Sequence, residues 1–155
     1  MSKMEPGVVY GAKYEELLQS CKDGGYALPA VNVVGSNSIN AVMEAAAKNE
    51  SDIIIQLSNG GAQFMAGQGM ADSDAAKVVG AVAAANHVHL LARHYGICVV
   101  LHTDHANRKL LPWIDGLVAA GGEYYESMAV RFIPRTCWIC PKNRWKITSR
   151  PVPNI

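Results

Sequence analysis

Three short apolar runs, at positions 26–34, 52–57 and 97–102, are spaced along the first two thirds of the chain. The second run contains three consecutive isoleucines, a composition typical of a strand that is buried on both faces. Each run is followed by glycine or polar residues. The pattern therefore predicts three β-strands, each of which ends in a polar loop.

Apolar positions between and after these runs recur at helical spacing instead. The first such segment carries Ile39 and Met43 on one face and begins at Ser36, a residue type that favours the N-cap position. The second is rich in alanine and valine and stops at Gly96, a typical helix C-terminus. The predicted helices cover residues 36–48, 73–95 and 109–125.

Alternation of strand and helix is typical of parallel α/β folds with right-handed crossovers. A doubly wound sheet and a (β/α)₈ barrel both accommodate three such units. An eight-unit barrel takes roughly 250 residues, so this chain of 155 residues is long enough for only part of one.

The overall composition excludes several other classes of protein. Half of the residues are apolar and 17% are charged, which indicates one ordinary globular core rather than a disordered chain. No unbroken apolar run reaches the roughly 18 to 20 residues of a membrane span, and the N-terminus lacks the layout of a signal peptide. We therefore expect a cytoplasmic protein.

The cysteines and the helical histidines give little indication of a metal or redox site. Four scattered cysteines favour free thiols over disulfides. The spacing of Cys137 and Cys140 resembles half of a zinc ribbon or a redox pair, but no further ligand follows it, so chance is the better interpretation. His87, His89 and His94 are predicted to pack on or against the helix over residues 73–95.

Residues 128–155 differ sharply from the rest of the chain. They contain six Arg or Lys and no Asp or Glu, whereas the first 127 residues contain eight basic and thirteen acidic side chains. The segment also carries two tryptophans and four prolines without a helical or strand period. We therefore interpret residues 128–155 as an unstructured basic tail, and a basic-tailed binding protein without enzymatic activity remains an alternative hypothesis.

The residues best suited to catalysis or to binding a metal or ligand lie at the ends of the predicted strands. His102, Asp104 and His105 place two imidazoles and a carboxylate at the third strand end, which fits metal binding or acid–base work, or a hydrogen-bonded structural role. Ser58 and the glycines after it could bind a phosphate or simply form a turn. Asn32 could contact a ligand or cap a loop.

Five segments, in this order and spacing, resemble class II fructose-bisphosphate aldolases of the larger type, over residues 7 to about 126. They are Ala27-Leu28-Pro29-Ala30-Val31-Asn32-Val33, Ser38-Ile39-Asn40-Ala41-Val42, Gln56-Leu57-Ser58-Asn59-Gly60-Gly61-Ala62, Leu101-His102-Thr103-Asp104-His105 and Lys109-Leu110-Leu111-Pro112-Trp113-Ile114-Asp115-Gly116.

The resemblance implies a TIM barrel, of which residues 1–127 supply about the first three βα units. It implies a cytoplasmic homodimer of glycolysis and gluconeogenesis that reversibly cleaves fructose 1,6-bisphosphate into dihydroxyacetone phosphate and glyceraldehyde 3-phosphate, with Zn²⁺ as a Lewis acid. By the family pattern His105 is the first zinc ligand, Asp104 is the catalytic proton donor, and Ser58 and Asn32 contact the substrate. A tagatose-bisphosphate aldolase is the close alternative.

Two departures from the family pattern matter. Ala106-Asn107-Arg108-Lys109 stands where the family has Cys-Ala-Lys-Lys, a change that leaves the ligand and the donor in place. The remaining zinc ligands, the general base and the phosphate loops belong to family segments downstream of the match, so this chain alone is expected to be inactive. The abrupt change in composition after Ser127 suggests a shifted reading frame. Suitable synonymous codons for the residues that follow, read two bases later, would encode a family-like sequence.

Overall fold

A computed structural model describes residues 4–129, and the side chains of residues 4–124. The described part contains four strands, five α-helices and one short 3₁₀ helix. In chain order these are β1 (Gly7–Val8), α1 (Ala12–Gly24), β2 (Ala30–Asn32), α2 (Ser36–Lys48), β3 (Ile53–Leu57), α3 (Asn59–Ala66), α4 (Ser73–Tyr95), β4 (Cys98–Thr103), the 3₁₀ helix (Arg108–Leu110) and α5 (Leu111–Ala129).

The predicted helices and strands are present, with three additions and one correction. Helices α2 and α4 have the predicted bounds, whereas β1, α1 and α3 were not predicted. The N-cap of α2 is Gly35 rather than Ser36. The hydroxyl of Ser38 accepts hydrogen bonds from the backbone N–H groups of Val34 and Gly35, both at 3.1 Å, so Ser38 reaches back from the first turn of α2 to the segment that precedes it.

The four strands form one parallel sheet in the order β1-β4-β3-β2. Strands β2, β3 and β4 are neighbours in the same order as in the chain, and helices connect them. This confirms the predicted parallel α/β class and is consistent with a partial TIM barrel.

The two faces of the sheet are covered differently. Along β3, Ile53, Ile55 and Leu57 are buried on the face that packs against α2 and α4. The opposite face is covered by α1 near the start of β4, where Leu17 and Val100 belong to one buried apolar cluster. The carboxyl end of that opposite face carries polar residues instead.

Helix α4 is long and apolar enough, by length and composition alone, to cross a membrane. Its apolar character has another explanation in this fold, because Ala84, Val88 and Ala92 are fully buried in the sheet core. On a second side, α4 packs closely on α3, and the indole N–H of Trp113 in α5 donates to the carbonyl of Lys77 at 3.1 Å. Helix α4 is thus a core helix that places α3 and α5 beside the carboxyl edge of the sheet.

Candidate functional site

The carboxyl edge of the sheet brings Asn32 and Asp104 together. The backbone N–H of Asp104 donates to the carbonyl of Leu57 at 2.9 Å, which extends the β3–β4 ladder by one residue. Asn32, the last residue of β2, donates from Nδ2 to Oδ2 of Asp104 at 2.8 Å. Two residues singled out from the sequence therefore meet in one hydrogen bond, and Asn32 positions the carboxylate.

The Asp104 carboxylate is held in its ionised form. Its second oxygen, Oδ1, accepts from the backbone N–H of His105 at 2.8 Å. The Asn32 amide first, and then the His105 N–H, lower the pKa of Asp104 below its ordinary value. The side chain is 23% exposed, so it remains accessible to a ligand. It can accept a proton or a hydrogen bond at neutral pH.

His105 projects fully into solvent beside Asp104. Its Nε2 lies 3.8 Å from Oδ1 of Asp104. Imidazole nitrogen is a preferred zinc ligand, but a catalytic zinc needs three protein ligands. Within residues 4–129 no group of three or more His, Cys, Asp or Glu side chains is placed to hold a metal. The described residues therefore do not by themselves form a zinc site around His105.

Ser58 caps helix α3. Its hydroxyl oxygen accepts the backbone N–H of Gly61 at 3.0 Å, and Gly61 itself lies so close to the carbonyl of Val33 that an added Cβ would be 3.0 Å from that oxygen. The turn interpretation of residues 58–61 is thereby confirmed. The predicted contact of Ser58 with the substrate stays a prediction.

A row of polar residues crosses the sheet beneath Asp104. Strand register aligns Asn32 with Gln56 and Gln56 with His102. Since side chains alternate between faces, all three lie on the face opposite Ile55 and Leu57. Gln56 was not singled out from the sequence, although its position after three isoleucines marks it as the polar residue of an apolar strand.

Two of the α4 histidines, His87 and His89, pack within the fold. His87 Nε2 lies 2.7 Å from Oδ1 of Asn40 and ties α4 to α2. His89 is largely buried, and burial first, with Arg93 second, lowers its pKa to about 4. Both histidines lie on α4, away from the residues at the carboxyl edge. Cys21 and Cys98 are buried free thiols, while Cys137, Cys140 and the basic tail lie outside the described residues.

Comparison with known proteins gives one consistent result. The family profile described as Fructose-bisphosphate aldolase class-II matches residues 12–130. The fructose-bisphosphate aldolase of Borreliella burgdorferi is 50% identical over 127 residues, which are 81% of this chain and 35% of that protein. The class 2 enzyme of Escherichia coli K12 is 50% identical over 124 residues, 79% and 34% of the two chains.

A solved structure agrees with the sequence comparisons. The crystal structure of the fructose-bisphosphate aldolase from Campylobacter jejuni superimposes with a TM-score of 0.76 at 51% identity, over 82% of this chain and 36% of that one. The chain spans about a third of the length of the curated relatives it matches.

Proposed function

The chain belongs to the class II fructose-bisphosphate aldolase family, and from this premise we propose that it supplies the amino-terminal third of a zinc-dependent aldolase. The proposed reaction is the reversible cleavage of fructose 1,6-bisphosphate into dihydroxyacetone phosphate and glyceraldehyde 3-phosphate. The observation that carries the proposal is the cluster of Asn32, Asp104 and His105 at the carboxyl edge of the sheet, where α/β barrels place their active sites.

In the cleavage direction, Asp104 accepts the proton of the sugar hydroxyl whose carbon becomes the aldehyde. Its lowered pKa keeps the carboxylate ionised before the substrate binds. Asn32 holds Oδ2 in place through its amide. In the reverse direction, the protonated Asp104 returns the proton to the aldehyde oxygen. Ser58 binds the substrate through its hydroxyl proton while its oxygen caps α3.

His105 supplies one ligand of the catalytic zinc. When bound, the metal polarises the ketone and stabilises the charge that develops as the carbon–carbon bond breaks. Because the described residues provide no further set of ligands, this chain by itself is proposed to be inactive. The complete enzyme is proposed to be a cytoplasmic homodimer of glycolysis and gluconeogenesis.

The relatives compared above are all named fructose-bisphosphate aldolases. About half of the aligned residues are identical between this chain and these relatives, which favours the fructose substrate over the tagatose epimer. The alternative of a basic-tailed binding protein depends on residues 128–155, which lie outside the described part of the chain. Salt-sensitive nucleic-acid binding that disappears on removal of residues 128–155 would support that alternative.

The test is zinc-dependent cleavage of fructose 1,6-bisphosphate. We expect no activity from the 155-residue chain and full activity from residues 1–127 joined to the downstream part of the Campylobacter jejuni enzyme. Asp104→Ala in the joined protein should abolish cleavage, whereas Leu90→Lys, an exposed change on α4, should not affect it. An inactive joined protein that is folded and loaded with zinc would refute the proposal.

We propose separately that residues 128–155 are encoded in a shifted reading frame. The family match ends at residue 130, close to the position after Ser127 where the composition changes. Nucleotide sequence across codon 127 tests it directly. Codons that cannot encode a family-like sequence in the shifted frame would exclude a frameshift.

A further inference from the structure

A small polar pocket lies at the amino edge of the sheet, at the end opposite the candidate catalytic residues. Its volume is about 30 Å³, and it is lined by Ser20 near the end of α1, by Tyr26 before β2, and by Ser51 and Asp52 before β3. The remaining walls are the apolar side chains of Met4, Leu17 and Leu28. Polar groups from three separate segments thus converge on one cavity.

The two serine hydroxyl protons of this pocket are already used inside the protein. Ser20 donates from Oγ to the carbonyl of Glu16 at 3.0 Å, and Ser51 donates from Oγ to the carbonyl of Asp52 at 2.9 Å. A hydroxyl group has one proton and two lone pairs. Both serine oxygens can therefore still accept a hydrogen bond from an occupant of the pocket, but they have no proton left to donate to it.

Asp52 adds further acceptor capacity. Its Oδ1 accepts the backbone N–H of Cys98 at 2.8 Å, a bond that joins the segment before β3 to the first residue of β4. The thiol of Cys98 also hydrogen-bonds this carboxyl group. A carboxylate has about four acceptor positions, so the N–H and the thiol leave about two of them. The pocket as a whole therefore requires an occupant that donates hydrogen bonds.

The size and charge of the pocket select water as that occupant. One water needs roughly 10 to 15 Å³, so a cavity of about 30 Å³ holds one or two waters and is too small for a metabolite. An anion would be repelled by the Asp52 carboxylate. Within residues 4–129 no group of three or more His, Cys, Asp or Glu side chains is placed to hold a metal. Asp52 is also the one charged side chain among the described residues that line the pocket, which favours a neutral donor over a monovalent cation.

We propose that the amino-edge pocket binds an ordered water, which donates one proton to the Asp52 carboxylate and the other to the hydroxyl oxygen of Ser20. The water links α1 to the segment before β3, and Asp52 continues the link to β4 through the N–H of Cys98. Buried waters typically make about three hydrogen bonds, and the Tyr26 hydroxyl lines the same pocket for the third. The inference does not depend on the proposed function, because residues at the amino edge of a barrel serve stability rather than catalysis.

Magnetic relaxation dispersion of water oxygen, measured on the 155-residue chain, counts the waters that stay bound for longer than the protein takes to tumble. Ser20→Val should lower this count by one water relative to the unsubstituted chain, because a methyl group replaces the acceptor oxygen. Ser20→Thr is the matched control, since threonine has the same shape but keeps the oxygen and its bond to the carbonyl four residues earlier. Equal counts in Ser20→Val and Ser20→Thr would overturn the inference.

Two further measurements keep the test decisive if Ser20→Val does not fold. A crystal structure of the unsubstituted chain should show a water within hydrogen-bond distance of both the Asp52 carboxylate and the Ser20 hydroxyl, and a refined structure without it would overturn the inference. Thermal melts in sodium, potassium or tetramethylammonium chloride at equal ionic strength should have the same midpoint. A higher midpoint in sodium or potassium alone would identify a monovalent cation as the occupant and overturn the assignment of water.

Discussion

Asn32 and Asp104, 72 positions apart in the chain, share a hydrogen bond of 2.8 Å from Nδ2 to Oδ2. The bond joins the ends of β2 and β4 across the intervening strand β3. It orients the carboxylate proposed to move the proton and is the largest cause of its lowered pKa. Asn32 is thus a positioning residue for Asp104 in this chain, whatever else it contacts in a complete enzyme.

Replacement of Asn32 by leucine should raise the pKa of Asp104 toward its ordinary value, because the amide that stabilises the carboxylate is lost. NMR titration of the Asp104 carboxyl carbon measures the change. Since the folded-state pKa is depressed, the stabilisation is present above the unfolded pKa and is lost as pH falls through the folded value. Asn49→Ala, at the end of α2, is the control and should leave the titration unchanged. An unaltered Asp104 pKa in Asn32→Leu would show that the amide does not stabilise the carboxylate.

His89 should make the fold sensitive to acid. Its pKa of about 4 in the folded chain lies below the ordinary 6.5. As pH falls, His89 therefore takes up a proton in the unfolded chain before it does so in the folded chain. Stability is therefore complete above about pH 6.5 and declines toward pH 4, by at most about 3 kcal/mol. Denaturant unfolding at several pH values measures it. His89→Leu should remove that part of the pH dependence, whereas the exposed His94→Leu should retain it. Parallel pH profiles for both variants and the parent would contradict this assignment.

Gly80 permits α3 and α4 to touch. A Cβ on Gly80 would lie within bonding distance of the Ala62 carbonyl oxygen and 2.9 Å from the backbone nitrogen of Ala66. Because backbone atoms cannot move aside as a side chain can, Gly80→Ala should destabilise the chain by about 3 kcal/mol. Gly121→Ala in α5, where no atom lies within 4 Å of the new Cβ, should instead stabilise it by about 0.5 to 1 kcal/mol. Equal unfolding midpoints for the two variants would show that the helices do not approach so closely.

Two substitutions of Ser58 should distinguish its role as a helix cap from a role in substrate binding. Ser58→Ala removes the acceptor for the Gly61 N–H and should cost about 1 kcal/mol of stability. Ser58→Asn retains a capping oxygen and should restore most of that stability. If the hydroxyl proton also binds the substrate, Ser58→Asn in the joined enzyme should still raise KM. Thermal melts and steady-state kinetics on the same two variants distinguish the roles, and wild-type kinetics in Ser58→Asn would leave capping as its function.

Local signals in the sequence were sufficient for most helices and strands. The apolar periodicity of residues 36–48 and the glycine stop at Gly96 predicted α2 and α4 with their observed bounds. Helix α1 carried a usable signal too, since Leu17 and Cys21 lie one turn apart and are both buried. Strand β1 carried no such signal, because two residues are too few to show an alternating pattern. Gly7 and Val8 are identified as a strand by their pairing with β4.

The sequence by itself determined the parallel α/β class, the family and the identity of the polar residues at the strand ends, because these depend on short-range pattern and motif. Only the tertiary structure decided that Asn32 reaches Asp104 and that Gln56 shares a row with His102. Those relationships depend on strand order and register, which follow from how the whole core packs rather than from any local run of residues.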